Sequence, residues 1–470
     1  MNRQDVKTIK WAVCALLICV AQSVWAEKTA QAIWCSGNKT LYFINSETVY
    51  AAGGSYNNQT ITSVWSGDDV TKATNGPGWD NILNLKNECT TVVFDDSFAD
   101  VRPTSCLRWF QDFMQLTSIE GLTRLNTSEV TNMNGMFANC IKLTSIDLTG
   151  FRTANVTNME AMFYRCKVLT SLDLSTFRTN NVTNMGQMFS GCSALTTIYV
   201  SNGWTTAHVT SSSGMFDGCP NNGNYTTKVP TVVLNDNADN AAEIGYFKCI
   251  TANVKLKDRT VYKDGDWNTL CLPFNVTIAG SPLAGATLKE LVAGQSNLAA
   301  DGKLTLKFTN ATNIEAGKPY LIKWNGGSGD INDPVFNGVT ITSDVPTAVT
   351  FSNAQGGGAC SFVGQYNPFE ITAGNLHTIV MLSSGSRLGY SNNPRTLRCM
   401  RAHFEIPATG SAPAMTDYDI DFDGEASTAI KAIDNGQLMM DNVYYDLAGR
   451  RVAQPTKGIY IFNGKKVMMP

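Results

Sequence analysis

One motif, repeated at almost constant spacing, restricts this chain more than any other feature. LTSIDLTGFRTANVTNMEAMFYRC (143–166) returns 26 residues later as LTSLDLSTFRTNNVTNMGQMFSGC (169–192). A looser copy, LTTIYVSNGWTTAHVTSSSGMFDGC, occupies 195–219, and an earlier one, LTSIEGLTRLNTSEVTNMNGMFANC, occupies 116–140. TTVVFDD followed by SCLRWFQDF reads as a divergent first unit, with Val93 lying 26 residues before Ile119. One such unit cannot bury both of its faces, so the period demands a stack of units.

Each unit carries two apolar signatures. Leu169, Leu172 and Leu174 predict a short strand with those side chains turned inward. Met185, Met188, Phe189 and Cys192 then fall at i, i+3, i+4 and i+7, which predicts one face of a short helix with Asn184 as its N-cap. The same spacing recurs as Met159, Met162, Phe163, Cys166 and as Met133, Met136, Phe137, Cys140. In the divergent unit it becomes Cys106, Trp109, Phe110 and Phe113, where bulkier rings suit the end of a stack. TVVL (231–234) reads as the last rung of parallel strands about 4.8 Å apart.

These units resemble BspA-type leucine-rich repeats, which are common in surface proteins of Bacteroidetes and some other microbes. The resemblance rests on LTSLDL…NVTNM…MFSGC and covers roughly residues 90–235. It implies an α/β leucine-rich-repeat solenoid on a cell-surface protein that binds host or microbial macromolecules, and it names no ligand.

The outward strand positions are the candidate binding surface. Glu120, Asp147, Asp173 and Tyr199 form a column beside rows of hydroxyls that include Thr144 and Thr170. Such a column suits cations, basic peptides or sugar hydroxyls, and it equally suits a solvated face that keeps a sheet soluble. Stacked carboxylates also suggest glycoside hydrolysis, but an open sheet face has no enclosing cleft. Cys140, Cys166, Cys192 and Cys219 recur at spacings of 26, 26 and 27 on the buried side, one per rung. They read as small core residues carrying free thiols rather than as a metal or redox site. Cys35 and Cys89 leave a disulfide open.

The remaining segments frame the repeats. Residues 1–26 read as a signal peptide: Arg3, Lys7 and Lys10 precede the apolar run WAVCALLICVA, and Val24-x-Ala26 ends it. Val13 and Ile18 before Cys14 and Cys19 disfavour a lipidation site, and no stretch is long enough to span a bilayer. Residues 27–89 read as an N-terminal β cap, 90–244 as the repeat solenoid and 245–425 as a β-sandwich-like domain. Residues 426–442 read as a linker. DGDWNTLCLPFNV, GKPYLIKW, PVFNGVTI and RAHFEI resemble a β domain that often follows such repeats in Bacteroidetes surface proteins. Residues 443–470 predict two hairpins, with Asn463-Gly464 as a turn, and resemble C-terminal tails that direct type IX secretion. A small β appendage is the plainer reading of the same tail.

Two further motifs carry rival readings. Asp419, Asp421, Asp423 and Gly424 open like a calcium loop, but Ile430 stands at the twelfth position, where an EF-hand needs an acid. A final strand with Tyr418, Ile420 and Phe422 inward is the better fit. Asp264, Asp266 and Trp267 suit either a sugar-stacking surface or a core tryptophan at a strand start, with the core reading favoured.

Composition removes several function classes. With 36 basic and 39 acidic residues, a net charge of −3 and no run of like charge, neither nucleic acid nor anionic lipid is an expected partner. His208, His377 and His403 are far apart, and HExxH and CxxC are both absent, so no metal ligand, cofactor or catalytic residue is assigned. No GxSxG elbow or Cys–His pair favours a hydrolase. The expectation is a β-rich multidomain, exported, non-catalytic protein at the outer-membrane surface or outside the cell. It would bind an extracellular protein or glycan through its repeat face. The alternative is a glycan-binding component of a polysaccharide-uptake system that uses exposed aromatics such as Trp204 or Tyr199. Neither oligomeric state nor ligand identity is legible.

Overall fold

The computed structural model describes residues 27–423 except 73, 327–328, 384–386, 392 and 408–413, together with short strands between 444 and 469. The expected signal peptide and linker lie outside the described residues. The chain is β-rich and divides into two compact units, Met1–Pro230 and Thr231–Pro470.

In the first unit a sheet runs in the order Ser63–Ser66, Thr29–Cys35, Thr40–Ser46, Thr91–Phe94, Ser118–Glu120. The N-terminal strands form an antiparallel hairpin, and Thr40–Ser46 then pairs in parallel with Thr91–Phe94. That pairing covers the backbone edge which the first rung would otherwise expose. Beneath it Phe43 stacks on Phe94 at 4.6 Å and on Trp109 at 5.3 Å, and the Trp79 indole donates to the Trp109 carbonyl at 2.6 Å. The bulky residues of the divergent unit therefore close one end of the core.

A second parallel sheet joins Ser171–Leu174, Thr197–Val200 and Tyr225–Thr227. Between the two sheets, residues 143–148 bury Leu143 and Leu148 but form no ladder. The unit before this gap carries one extra residue between its first Leu and its first Met, 17 positions against 16 in the next unit. The chain turns at Gly121 in a left-handed conformation and enters the 3₁₀ turn Leu122–Arg124. The strand face is therefore two short sheets rather than one unbroken surface.

The expected helices do not form. Met133, Met136, Phe137 and Cys140 are all buried as their spacing implies, but they are the corners of two successive four-residue turns. The Met136 amide donates to the Met133 carbonyl, and the Cys140 amide to the Phe137 carbonyl. Gly135 and Asn139 sit at the third positions with φ of 61° and 60°, the signature of type II turns. A turn pair places apolar residues at i, i+3, i+4 and i+7 just as a helix does. The difference lies in where the amides go. Met133, Gly135, Phe137 and Asn139 donate to Asn158, Glu160, Met162 and Tyr164 of the next rung. An α-helix would consume those amides internally. The stack thus gains a second hydrogen-bonded face, and its phenylalanines stack in a column: Phe137–Phe163 at 5.7 Å and Phe163–Phe189 at 6.0 Å, both nearly coplanar.

TVVL is not the last rung. Thr231–Asn235 pairs in parallel with Thr251–Lys257 inside the second unit, and the final rung is Tyr225–Thr227. The boundary expected after residue 244 falls after 230. The alternation that identified a strand was sound, but alternation does not say which strand is its neighbour.

The second unit pairs Thr231–Asn235, Thr251–Lys257 and Val335–Thr340 in one sheet. An eleven-stranded sheet carries most of the rest. Leu270, Phe274, Tyr320 and Phe336 belong to one core, and Trp267, Phe308, Phe362, Phe404 and Phe422 to another. In the tail, Gly458–Phe462 and Lys465–Met469 pair antiparallel, with Phe462 opposite Lys465, and Tyr444–Tyr445 pairs with both Arg451–Val452 and Gly458–Phe462.

Candidate functional site

The outward strand residues arise because Leu172 and Leu174 take the inward positions of a period-two strand, leaving Ser171 and Asp173 on the other face. Asp173 pairs directly with Tyr199, and Tyr199 with Thr226. Thr144, Asp147 and Thr170 are exposed, as is Glu120. The structure brings Asp173 and Tyr199 together on adjacent rungs. Glu120 belongs to the other sheet, and Thr144 and Asp147 lie on the unpaired segment between.

Local bonds engage much of this column. Asp173 forms an ion pair with Lys228 and accepts from the Ser175 amide at 3.0 Å. The Lys228 ammonium also lies 5.4 Å from the centre of the Tyr199 ring. Burial works to raise the Asp173 pKa, but hydrogen bonds from Lys228 and Ser175 outweigh it and hold the carboxyl below its ordinary value. Asp147 accepts from the amide and hydroxyl of Thr149 at 3.0 and 2.6 Å. The Thr170 carbonyl accepts from the amide and hydroxyl of Thr196 at 3.0 and 3.3 Å. Trp204 is half-buried against the core, with its ring 5.5 Å from Tyr225.

Sequence reasoning missed the threonines that fix the spacing of this face. Thr127, Thr153 and Thr179 are fully buried. Thr153 accepts from the Arg178 amide at 2.9 Å and donates to the Arg178 carbonyl at 3.0 Å. Thr127 does the same to Arg152, and Thr179 to Thr205. The repeated FRT was the visible signal. Asn184, expected to cap a helix, instead accepts from the Gly186 amide at 2.9 Å and opens a turn.

The cysteine column is buried and free. The thiols of Cys140, Cys166 and Cys192 donate to the carbonyls of Phe110, Phe137 and Phe163 at 3.2, 3.1 and 2.9 Å. Burial pushes the Cys192 thiol up to about 12 and raises that of Cys166 well above its ordinary value. Such thiols are poor nucleophiles. Cys35 and Cys89 are also free and pack in different clusters.

Residues 104–228 are similar to a family described as "Mycoplasma protein of unknown function, DUF285". No curated protein and no solved structure matches the chain.

In the second unit the two rival motifs resolve. The strand Asp417–Asp421 lies parallel to Lys303–Ala311 and buries Tyr418, Ile420 and Phe422. Its outward acids meet lysines: Asp419 pairs with Lys303, while Asp421 and Asp423 lie 2.8 and 3.3 Å from Lys307. Those carboxylates face ammonium groups, not a cation cage. Trp267 is buried, stacked on Phe422 at 4.9 Å, with the Lys323 ammonium 4.5 Å from its ring centre, so its ring is engaged in the core. Among the described residues no group of three or more His, Cys, Asp or Glu could hold a metal ion, and no helix is long and apolar enough to cross a membrane.

Proposed function

We propose that this is an exported, non-catalytic surface protein. Its repeats form a leucine-rich-repeat solenoid of the BspA-like kind, and its second unit is a β-sandwich-like spacer or second module. The solenoid presents a rigid face to an extracellular protein, and the tail serves in sorting. The observation that carries this reading is the register of the rungs. Alternate turn amides, reciprocal threonine clamps and a stacked phenylalanine column lock successive rungs together. A face held this way binds without paying much ordering entropy.

Binding of the purified chain to arrays of extracellular-matrix proteins and glycans tests the proposal. The expected result is a protein hit weakened by Glu120→Ala with Asp147→Ala. Asp173 is a poorer test residue, because its pairing with Lys228 also serves the stack. A glycan hit indifferent to both substitutions would move binding away from the repeats and sink the proposal.

A further inference from the structure

A buried arginine in the second unit lacks the counter-charge its surroundings demand. Arg259 is 3% exposed. Its Nη2 donates to the Thr269 carbonyl at 3.1 Å, while its Nε is buried and meets no acceptor from the protein. The neighbouring carboxylate is already taken. Asp236, wholly buried, receives Arg401 through two bonds, at 2.5 and 3.0 Å, and Arg398 lies 3.9 Å away. Arg401 and Arg398 thus occupy Asp236, and Arg259 feels that carboxylate only at longer range. Burial and the adjacent Arg401 push Arg259 down to about 9, against the usual preference of arginine to stay charged. A buried cation is costly unless a partner anion completes it.

Arg259 and Arg401 line a concavity of about 400 Å³, within the span of small-molecule sites (about 300–1,000 Å³). The same concavity is lined by Tyr262, Asp264, Asp266 and Ser383. Tyr262 is half-exposed, and Asp264 accepts the Asp266 amide at 3.0 Å. The site therefore combines a cationic patch with carboxylate and hydroxyl acceptors and an accessible aromatic ring. An inorganic anion would use the arginines and be repelled by the acids. A neutral sugar would use the acids and leave Arg259 unmatched. A molecule with a carboxylate at one end and hydroxyl donors at the other uses both.

We propose that this concavity binds a carboxylate-bearing sugar, its carboxylate on Arg259 and Arg401 and its hydroxyls donating to Asp264 and Asp266. Paired guanidinium–carboxylate contacts supply the affinity and the orientation. The site is independent of the repeat face, so either proposal can fail without the other.

Calorimetric titration of the full chain with glucuronate, glucose and sulfate tests it. Glucuronate is expected to bind about tenfold or more tighter than glucose or sulfate, a difference of about 1.4 kcal/mol or more. Arg259→Met should abolish that binding while changing the melting temperature little, since it removes an unmatched buried charge together with one hydrogen bond to the Thr269 carbonyl. Should Arg259→Met fail to fold, Tyr262→Ala at the exposed rim decides, with several-fold weaker glucuronate binding expected. No heat with glucuronate, equal affinity for glucose, or equal affinity for sulfate would each overturn the assignment. So would glucuronate binding unchanged in a folded Arg259→Met or in Tyr262→Ala.

Discussion

Truncating Phe163 should damage more than its own rung. Its ring is fully buried and lies between Phe137 at 5.7 Å and Phe189 at 6.0 Å. Phenylalanine-to-alanine changes in packed cores cost about 3–5 kcal/mol. The upper part of that range is expected, because two stacked aromatic pairs are lost, each worth about 0.5–1.5 kcal/mol. Phe216, at the far end of the column, is only half-buried and has one phenylalanine neighbour, Phe189 at 5.3 Å. Phe216→Ala should cost no more than about 3 kcal/mol, the lower end of the same range. Hydrogen exchange distinguishes local from cooperative loss. The Phe137 and Phe163 amides donate to carbonyls one rung on, those of Met162 and Met188. If the rungs open together, Phe163→Ala lowers protection at Phe137 and Phe189 as well, by roughly a hundredfold for 3 kcal/mol. Protection lost only within residues 159–166, or a cost below about 1 kcal/mol, would refute the argument that the column couples the rungs.

Three other outcomes follow from the same geometry. Gly191 has φ +72° and a Cβ there would meet Arg165 Cγ at 2.8 Å, so Gly191→Ala should lower stability to urea by about 1–2 kcal/mol. Ala161 already sits at φ 53°, so Ala161→Gly relieves that strain and should leave stability unchanged or slightly raised, and a loss as large as that of Gly191→Ala would count against the type II turns. Lys228→Ala should destabilise the chain by under about 1 kcal/mol, since the pair is partly exposed and screened. Asp173 has a depressed pKa in the folded chain, so its contribution is present above the ordinary carboxylate range and is lost as pH falls through the lower folded value. The difference between the two proteins should therefore shrink on acidification, and a difference that grows would exclude this pair as its source. Alkylation of the native chain should label exposed Cys249 first, with Cys140, Cys166 and Cys192 reacting only after denaturation. A Cys166 that stays blocked in unfolded, unreduced protein would show a disulfide and refute the free column.

The parts of this molecule that are legible in its sequence are those set by local burial. Met159, Met162, Phe163 and Cys166 are all fully buried, as their spacing demanded. The backbone beneath them was not, because i, i+3, i+4, i+7 fits a helix and a pair of turns equally. Gly135, Asn139, Gly191, Gly214 and Gly218, each at the third position of a quartet, held the discriminating signal. A residue with positive φ every four positions cannot continue a helix. The outward acids were legible as exposed, but their partners were not. Lys228 reaches Asp173 across 55 residues, and nothing local ties the two. Arg259 is the extreme case. In KDRTVY it reads as a solvated charge between polar neighbours, and its burial follows only once Asp236 and Arg401, 165 residues apart, are brought together. Apolar periodicity reports which positions lose water. It is silent on charges that lose water in company, and those are the positions where a ligand has the most to gain by supplying the missing partner.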